Sequence, residues 1–163
     1  MIRPATAQDA PFLTALSFKS KRYWKYPEEY FAIWKNELTM GPDYIEKNDV
    51  FVYENDRPII GYYSLVNLHN DMEAAGALIP KGVWLEHMFI DPPHIGQGIG
   101  AKLFNHLRER CLACGIREIG ILSDPHSKGF YEKMGCAYQR EYPSTIPGRT
   151  TPYLRYTIGK DFD

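Results

Sequence analysis

The chain has 163 residues, of which 44% are hydrophobic and 24% charged. That balance excludes a disordered or fibrous protein and suits one compact domain over residues 1–163. Lysine and arginine total 19 against 20 acidic residues, a formal charge of -1, so no global positive field exists to hold a nucleic-acid backbone or an anionic membrane.

Three cysteines, Cys111, Cys114 and Cys136, are too few and odd in number for a disulfide framework, which points to a reducing cytoplasm. The opening Met-Ile-Arg-Pro-Ala-Thr lacks the apolar stretch of a signal peptide. The longest largely apolar run, Pro58 to Val66, is far short of the roughly 20 residues that span a bilayer.

In chain order, Ile2 to Ala5 reads as a first strand. Thr6 and Asp9 then have the spacing of a helix start, followed by Ala10, Leu13 and Leu16 with Phe12 beside them. Pro27 opens a second helix carrying Tyr30, Phe31, Trp34 and Leu38, and Gly41-Pro42 stops it. A short helical piece covers Asp43 to Lys47. Val50 to Tyr53 and Ile59 to Val66 are β-branched and aromatic runs that read as a hairpin. Asn67 to Gly82 shows no convincing period and reads as a mobile loop.

Val83 to Ile90 is the next strand, and Gly98 to Cys114 a long amphipathic helix stopped by Gly115. Arg117 to Ser123 is a strand, and Asp124-Pro125 caps a helix carrying Phe130 and Met134. Tyr138 to Tyr142 and Tyr153 to Ile158 close the chain as strands. The pattern is that of one α/β domain.

The most informative segment is His94 to Ala101, between a strand and the long helix. Gly96, Gly98 and Gly100 let the main chain approach a ligand without Cβ atoms in the way. The N–H groups of Gly96, Gln97, Gly98, Ile99, Gly100 and Ala101 at a helix start suit a pyrophosphate. Gly96, Gly98 and Ala101 also satisfy a dinucleotide fingerprint, with Asp124 at a ribose-contact distance in sequence. Against that reading, five residues separate the strand from the first glycine and only two strands follow Asp124. No Gly-Lys-Ser/Thr follows, which excludes a P-loop.

Leu85-Glu86-His87-Met88-Phe89-Ile90-Asp91-Pro92, followed by Gly96-Gln97-Gly98-Ile99-Gly100, resembles the acetyl-coenzyme A signature of the GNAT acetyltransferase superfamily, Arg/Gln-x-x-Gly-x-Gly/Ala. Asp124 to Cys136 resembles that family's Asn-x-x-Ala-x-x-Phe-Tyr-x-x-x-Gly-Phe segment. Ile95 stands at the Arg/Gln position, Asp124 at the Asn, Ser127 at the Ala and Cys136 at the final Phe. The resemblance implies a mixed α/β fold, a strongly twisted central sheet of about six or seven strands flanked by helices. It also implies transfer of an acetyl group from acetyl-coenzyme A to an amine, without a metal.

Three demands follow from that chemistry: a neutral amine, a stabilised thioester oxygen and a proton for the departing thiolate. Backbone groups of Met88, Phe89 and Ile90 are expected to bind the thioester oxygen and pair with the pantetheine amide. Alternation puts Glu86 on the face of Trp84 and Met88, where a carboxylate among apolar neighbours holds its proton more tightly and suits a base near neutrality. His87 points to the other face and is carried as the alternative base. Tyr131 matches the family tyrosine that hydrogen-bonds the sulfur. Phe130 is read as core or as packing on pantetheine, and Lys133 as a contact to coenzyme phosphates.

Cys111-x-x-Cys114 is read as core packing, because no second pair exists for zinc. The family places its acceptor against the first helices, where Tyr23 to Trp34 supply aromatics, and Arg149 is a candidate grip for an acceptor carboxylate. The expected partner is a small-molecule amine, with no nucleic acid and no membrane; a homodimer is left open. Two other readings stand beside it: a coenzyme A-binding sensor without turnover, and a nucleotide-dependent oxidoreductase.

Overall fold

The structure, a computed structural model, describes residues 1–159. Its elements are β1 (Ile2–Pro4), α1 (Ala10–Tyr23), α2 (Glu28–Leu38), α3 (Pro42–Lys47), β2 (Asp49–Glu54), β3 (Ile59–Leu68), β4 (Met72–Ala74) and β5 (Ala77–Ile79). After these come β6 (Gly82–Ile90), α4 (Ile99–Ala113), β7 (Glu118–Leu122), α5 (Lys128–Lys133), β8 (Ala137–Pro143) and β9 (Thr150–Thr157). Seven strands form one mixed sheet in the order β1-β2-β3-β6-β7-β9-β8. The β1–β2, β2–β3, β7–β9 and β8–β9 pairs are antiparallel and β6–β7 is parallel. The mixed sheet flanked by helices is the expected architecture.

Contacts divide the chain into two compact units, one of Met1–Leu65 with His87–Leu103, the other of Val66–Glu86 with the described chain from Phe104 on. In the first, Ala10, Leu13 and Leu16 of α1 pack with Ile45, Val50, Val52 and Tyr62 into one apolar cluster. Phe12 lies off that stripe and is 66% exposed. The chain enters α1 through a capping arrangement in which the Thr6 N–H donates to Asp9 Oδ2 at 2.8 Å. Arg3 donates to both oxygens of Asp9 and to Glu54, tying β1 to the helix start and to β2. Gly61 is small for a reason: a Cβ there would meet Ile90, Ile99 and Leu103 side chains at 3.1–3.3 Å. Its absence lets the start of α4 sit close on β3.

In the second unit, Phe104, Leu107 and Cys111 of α4 are at most 1% exposed, as are Ile119, Ile121 and Leu154. Phe104 meets Tyr156 edge-on with ring centroids 4.9 Å apart. Cys111 is core as expected, whereas Cys114 falls past the end of α4 and is exposed.

The segment read as a mobile loop is instead a hairpin, β4 paired antiparallel with β5 from Met72↔Ile79 to Ala74↔Ala77. Ala75 and Gly76 turn it with positive φ values of 51° and 79°, the two-residue geometry that matches strand twist. Ile79 buries against Trp84 and Tyr142, so tertiary packing holds strands too short to display a period. Among the described residues no helix is long and apolar enough to cross a membrane.

Candidate active site

The glycine loop is built as a cradle. Gly96 and Gly98 have φ of +83° and +82°, a region that side chains rarely adopt, and no atom lies within 4 Å of where their Cβ atoms would be. The helix begins at once: the Lys102 N–H reaches Gly98 O at 3.1 Å. The N–H groups ahead of it belong to the first turn, which finds no acceptor inside the helix. Gln97 is exposed and its Nε2 reaches Pro93 O at 3.4 Å, closing the loop on itself. Ile99 is buried, so it offers the loop only its main chain, while Gly100 and Ala101 are half-buried. The loop therefore presents backbone donors over open space, a fit for a phosphate-bearing group.

Strand β6 outruns its parallel neighbour. Its pairing with β7 runs from Val83↔Ile119 to Leu85↔Ile121; β7 ends at Leu122, and β6 continues to Ile90. Along this extension Phe89 packs on the α1 cluster, and the Ile90 carbonyl accepts from Ser20 Oγ at 2.5 Å. Met88, like them, is half-buried.

The two candidate bases differ sharply. Glu86 is exposed, which corrects the expectation of a carboxylate enclosed by apolar neighbours. Alternation puts Glu86 on the face of Trp84 but does not say what covers that face, and the Trp84 ring lies over Gly120 and against Tyr153.

His87 is buried, 8% exposed, with both nitrogens engaged. Nε2 lies 2.8 Å from the Glu37 carbonyl, which only accepts, so Nε2 carries the proton of the neutral ring. Nδ1 then accepts from Ser64 Oγ at 2.9 Å. Tyr44 Oη is 3.0 Å from Ser64 Oγ and 3.4 Å from Nδ1. Glu37 stands in the last turn of α2, where helix carbonyls lack internal partners, so His87 closes that helix end. The sequence reading missed this network; its one trace is Ser64, the single serine in the β-branched and aromatic run of β3.

Tyr131 on α5 is also buried, 6% exposed, between Phe104 and Phe130. Among the described residues its hydroxyl has no hydrogen-bond partner. Burial, then the neighbouring Cys136 thiol and Asp124, push its pKa well above the usual tyrosine value, so the phenol stays protonated. Burial likewise raises the Cys136 thiol to about 12.

Asp124 Oδ1 accepts from the His126 N–H and lies 2.9 Å from His126 Nδ1, capping the 3-10 turn Pro125–Ser127 that leads into α5. Arg149 Nη2 stands 4.0 Å from its other oxygen. Phe130 meets Phe104 edge-on, and Lys133 is exposed on the last turn of α5. His87, Met88–Ile90 and the glycine loop thus share the first unit; Glu86, Asp124, Phe130, Tyr131 and Lys133 share the second. Among the described residues no group of three or more His, Cys, Asp or Glu side chains gathers as metal ligands would.

Similar folds occur among solved structures. The PaiA N-acetyltransferase of Thermoplasma acidophilum in complex with coenzyme A is 17% identical, with a TM-score of 0.73 over 96% of this chain and 98% of that one. A GNAT family acetyltransferase of Brucella melitensis in complex with acetyl-CoA is 21% identical, with a TM-score of 0.61 over 98% and 88%. The ribosomal-protein-S18-alanine N-acetyltransferase of Escherichia coli is 17% identical, with a TM-score of 0.66 over 97% and 93%. At these identities the likeness is one of fold. No curated protein matches the chain. The sequence pattern of the acetyltransferase (GNAT) domain matches residues 46–135, more than half of the chain and including the whole glycine loop. The chain belongs to the GNAT acetyltransferase family.

Proposed function

We propose that the protein moves the acetyl group of acetyl-coenzyme A onto the primary amine of a small acceptor, by direct attack with both substrates bound. It would work in the reducing cytoplasm that its free cysteines suit. The observation that carries the reading is the pair Gly96 and Gly98, held at positive φ over empty space at the start of α4. That cradle would take the coenzyme's pyrophosphate on backbone N–H groups. The backbone edge of Met88–Ile90, beyond the paired part of β6, would hold the extended pantetheine arm as a further strand is held.

In the reaction the amine nitrogen attacks the thioester carbonyl, the C–S bond breaks, and the sulfur leaves with the bond electrons. Glu86, exposed to water, would take the amine's surplus proton through a solvent molecule. Tyr131, kept protonated by its burial and with no partner for its hydroxyl among the described residues, would give its proton to the thiolate. His87 is the weaker candidate base, since Ser64 occupies the lone pair it would use; its place is to hold β6 and the end of α2.

Calorimetric titration with acetyl-coenzyme A, followed by thiol release across a panel of amines, tests the reading. Binding followed by amine-dependent release supports it. The absence of binding heat and of any thermal upshift would overturn it, and binding without release from any amine would favour a sensor.

A further inference from the structure

Residues 95–101, Ile-Gly-Gln-Gly-Ile-Gly-Ala, carry no ionisable side chain. Any side-chain charge offered to an anion in the glycine loop must therefore come from its two flanks. On one flank stands Lys102, exposed in the first turn of α4, its Nζ 3.5 Å from Tyr53 Oη and 5.8 Å from the centre of that ring. On the other stands His94, two residues ahead of Gly96 and, like the loop, in the first unit.

His94 ends the 3-10 turn Pro92–His94. Its N–H donates to the Asp91 carbonyl at 2.8 Å, and the Ile95 N–H donates to the Pro92 carbonyl at 3.2 Å. The backbone of the turn is thus satisfied, but the imidazole is not. Nδ1 is buried and makes no hydrogen bond, and among the described residues Nε2 has no partner either. Nδ1 lies 3.6 Å from Asp91 Oδ2, just outside hydrogen-bond distance. Buried polar atoms are bonded nearly throughout folded proteins, so an imidazole nitrogen left bare beside a carboxylate needs a cause.

Charge supplies one. Asp91 is anchored from two other elements: its N–H donates to the Ile60 carbonyl of β3 at 2.8 Å, and its Oδ1 lies 2.7 Å from the Lys19 ammonium of α1. Lys19 and Asp91 cancel, so the sign of this turn rests on His94. A neutral ring has one N–H to give, whereas a protonated ring donates from both nitrogens. In that form Nδ1–H closes on Asp91 and Nε2–H is left for an anion. A bound diphosphate favours the charged ring, and by linkage the charged ring favours the diphosphate equally.

We propose, resting on the reading of the glycine loop as the coenzyme's diphosphate site, that His94 is a further binding residue of that site. It takes up a proton as the coenzyme binds, Asp91 holds the imidazolium by Nδ1, and the charge is set against the diphosphate. Affinity is therefore highest on the acid side of the ordinary histidine range and falls as the pH rises through it.

The test uses acetyl-coenzyme A and dephospho-coenzyme A, which lacks the phosphate monoester that itself titrates near neutrality. Calorimetric titration at about pH 7, in two buffers of different ionisation heat, should show proton uptake on binding of both. For dephospho-coenzyme A the Kd should rise by about tenfold between about pH 6 and about pH 8. His94→Asn, whose amide keeps an uncharged donor beside Asp91, should remove the uptake and the pH dependence and leave the melting temperature close to the parent's. His94→Arg, with a charge that does not titrate, should bind at both pH values as the parent does at the lower one. Should neither variant fold, proton uptake by the unaltered protein with dephospho-coenzyme A decides: uptake sustains the proposal and none removes it. Binding without uptake, or an uptake that survives His94→Asn, would overturn the role of His94 and leave the coenzyme site standing. No binding of either compound would remove the coenzyme site and His94 with it.

Discussion

His87 and Tyr131 are buried to nearly the same degree, 8% and 6% exposed, yet their polar atoms fare oppositely. The imidazole has a partner at each nitrogen, one of them a helix-end carbonyl. The phenol has none among the described residues. The Tyr131 ring is buried but its oxygen still reaches the surface, so water or a ligand is able to supply the hydrogen bond that the protein does not. A buried group with every bond made marks architecture. Burial alone therefore does not separate working residues from supporting ones; hydrogen-bond satisfaction does.

The sharpest way to break this contrast is Tyr131→Phe. Removing the hydroxyl should lower kcat for thiol release by about 10²- to 10⁴-fold while leaving the melting temperature nearly unchanged, because no internal hydrogen bond is lost. Since burial raises its pKa, ionisation of Tyr131 should cause no fall in rate up to pH 10. An unchanged kcat would return Tyr131 to the core.

His87→Ala should do the reverse. It orphans the Glu37 carbonyl, leaves the Ser64 hydroxyl only Tyr44 as a partner, and opens a cavity, costing about 2–4 kcal/mol in urea unfolding. Ser64→Ala should cost less, about 1 kcal/mol. A stable His87→Ala protein with no turnover would make His87 a working base and dissolve the contrast.

Gly98→Ala should weaken coenzyme binding by about tenfold or more in calorimetry, with a stability cost of about 1–2 kcal/mol for the left-handed backbone. Asp9→Ala is the smallest, about 1 kcal/mol, and it carries a pH signature. The Arg3 hydrogen bonds hold the Asp9 carboxyl below its ordinary value, so its stabilisation is present above about pH 4 and fades as the pH falls through the depressed value. The variant and the parent should therefore converge in acid; a gap that persists below pH 3 would mean that Asp9 acts by packing rather than by charge.

Much of the fold was legible because its signals are local. Leu103, Phe104 and Leu107 recur at helical spacing and are all at most 1% exposed on α4. Gly96 and Gly98 occupy the positive φ that only their residue type takes freely. The hairpin at Met72–Ile79 was illegible because three-residue strands show no period, and Ile79 is held in a cluster with Tyr142, 63 residues further along the chain. The exposure of Glu86 escaped alternation because alternation assigns a face of the strand and not what covers it.

The amino-acid order alone determined the helices, most of the strands, the glycine loop and the family they resemble, since each depends on backbone preferences and apolar spacing within a few residues. Tertiary structure alone decided which buried polar groups are satisfied. It paired His87 with Ser64 and with the end of α2, left the Tyr131 hydroxyl without a partner among the described residues, and laid Trp84 flat on a glycine. Hydrogen-bond partners and ring contacts are set by which distant residues meet across strands, and no local pattern encodes that meeting.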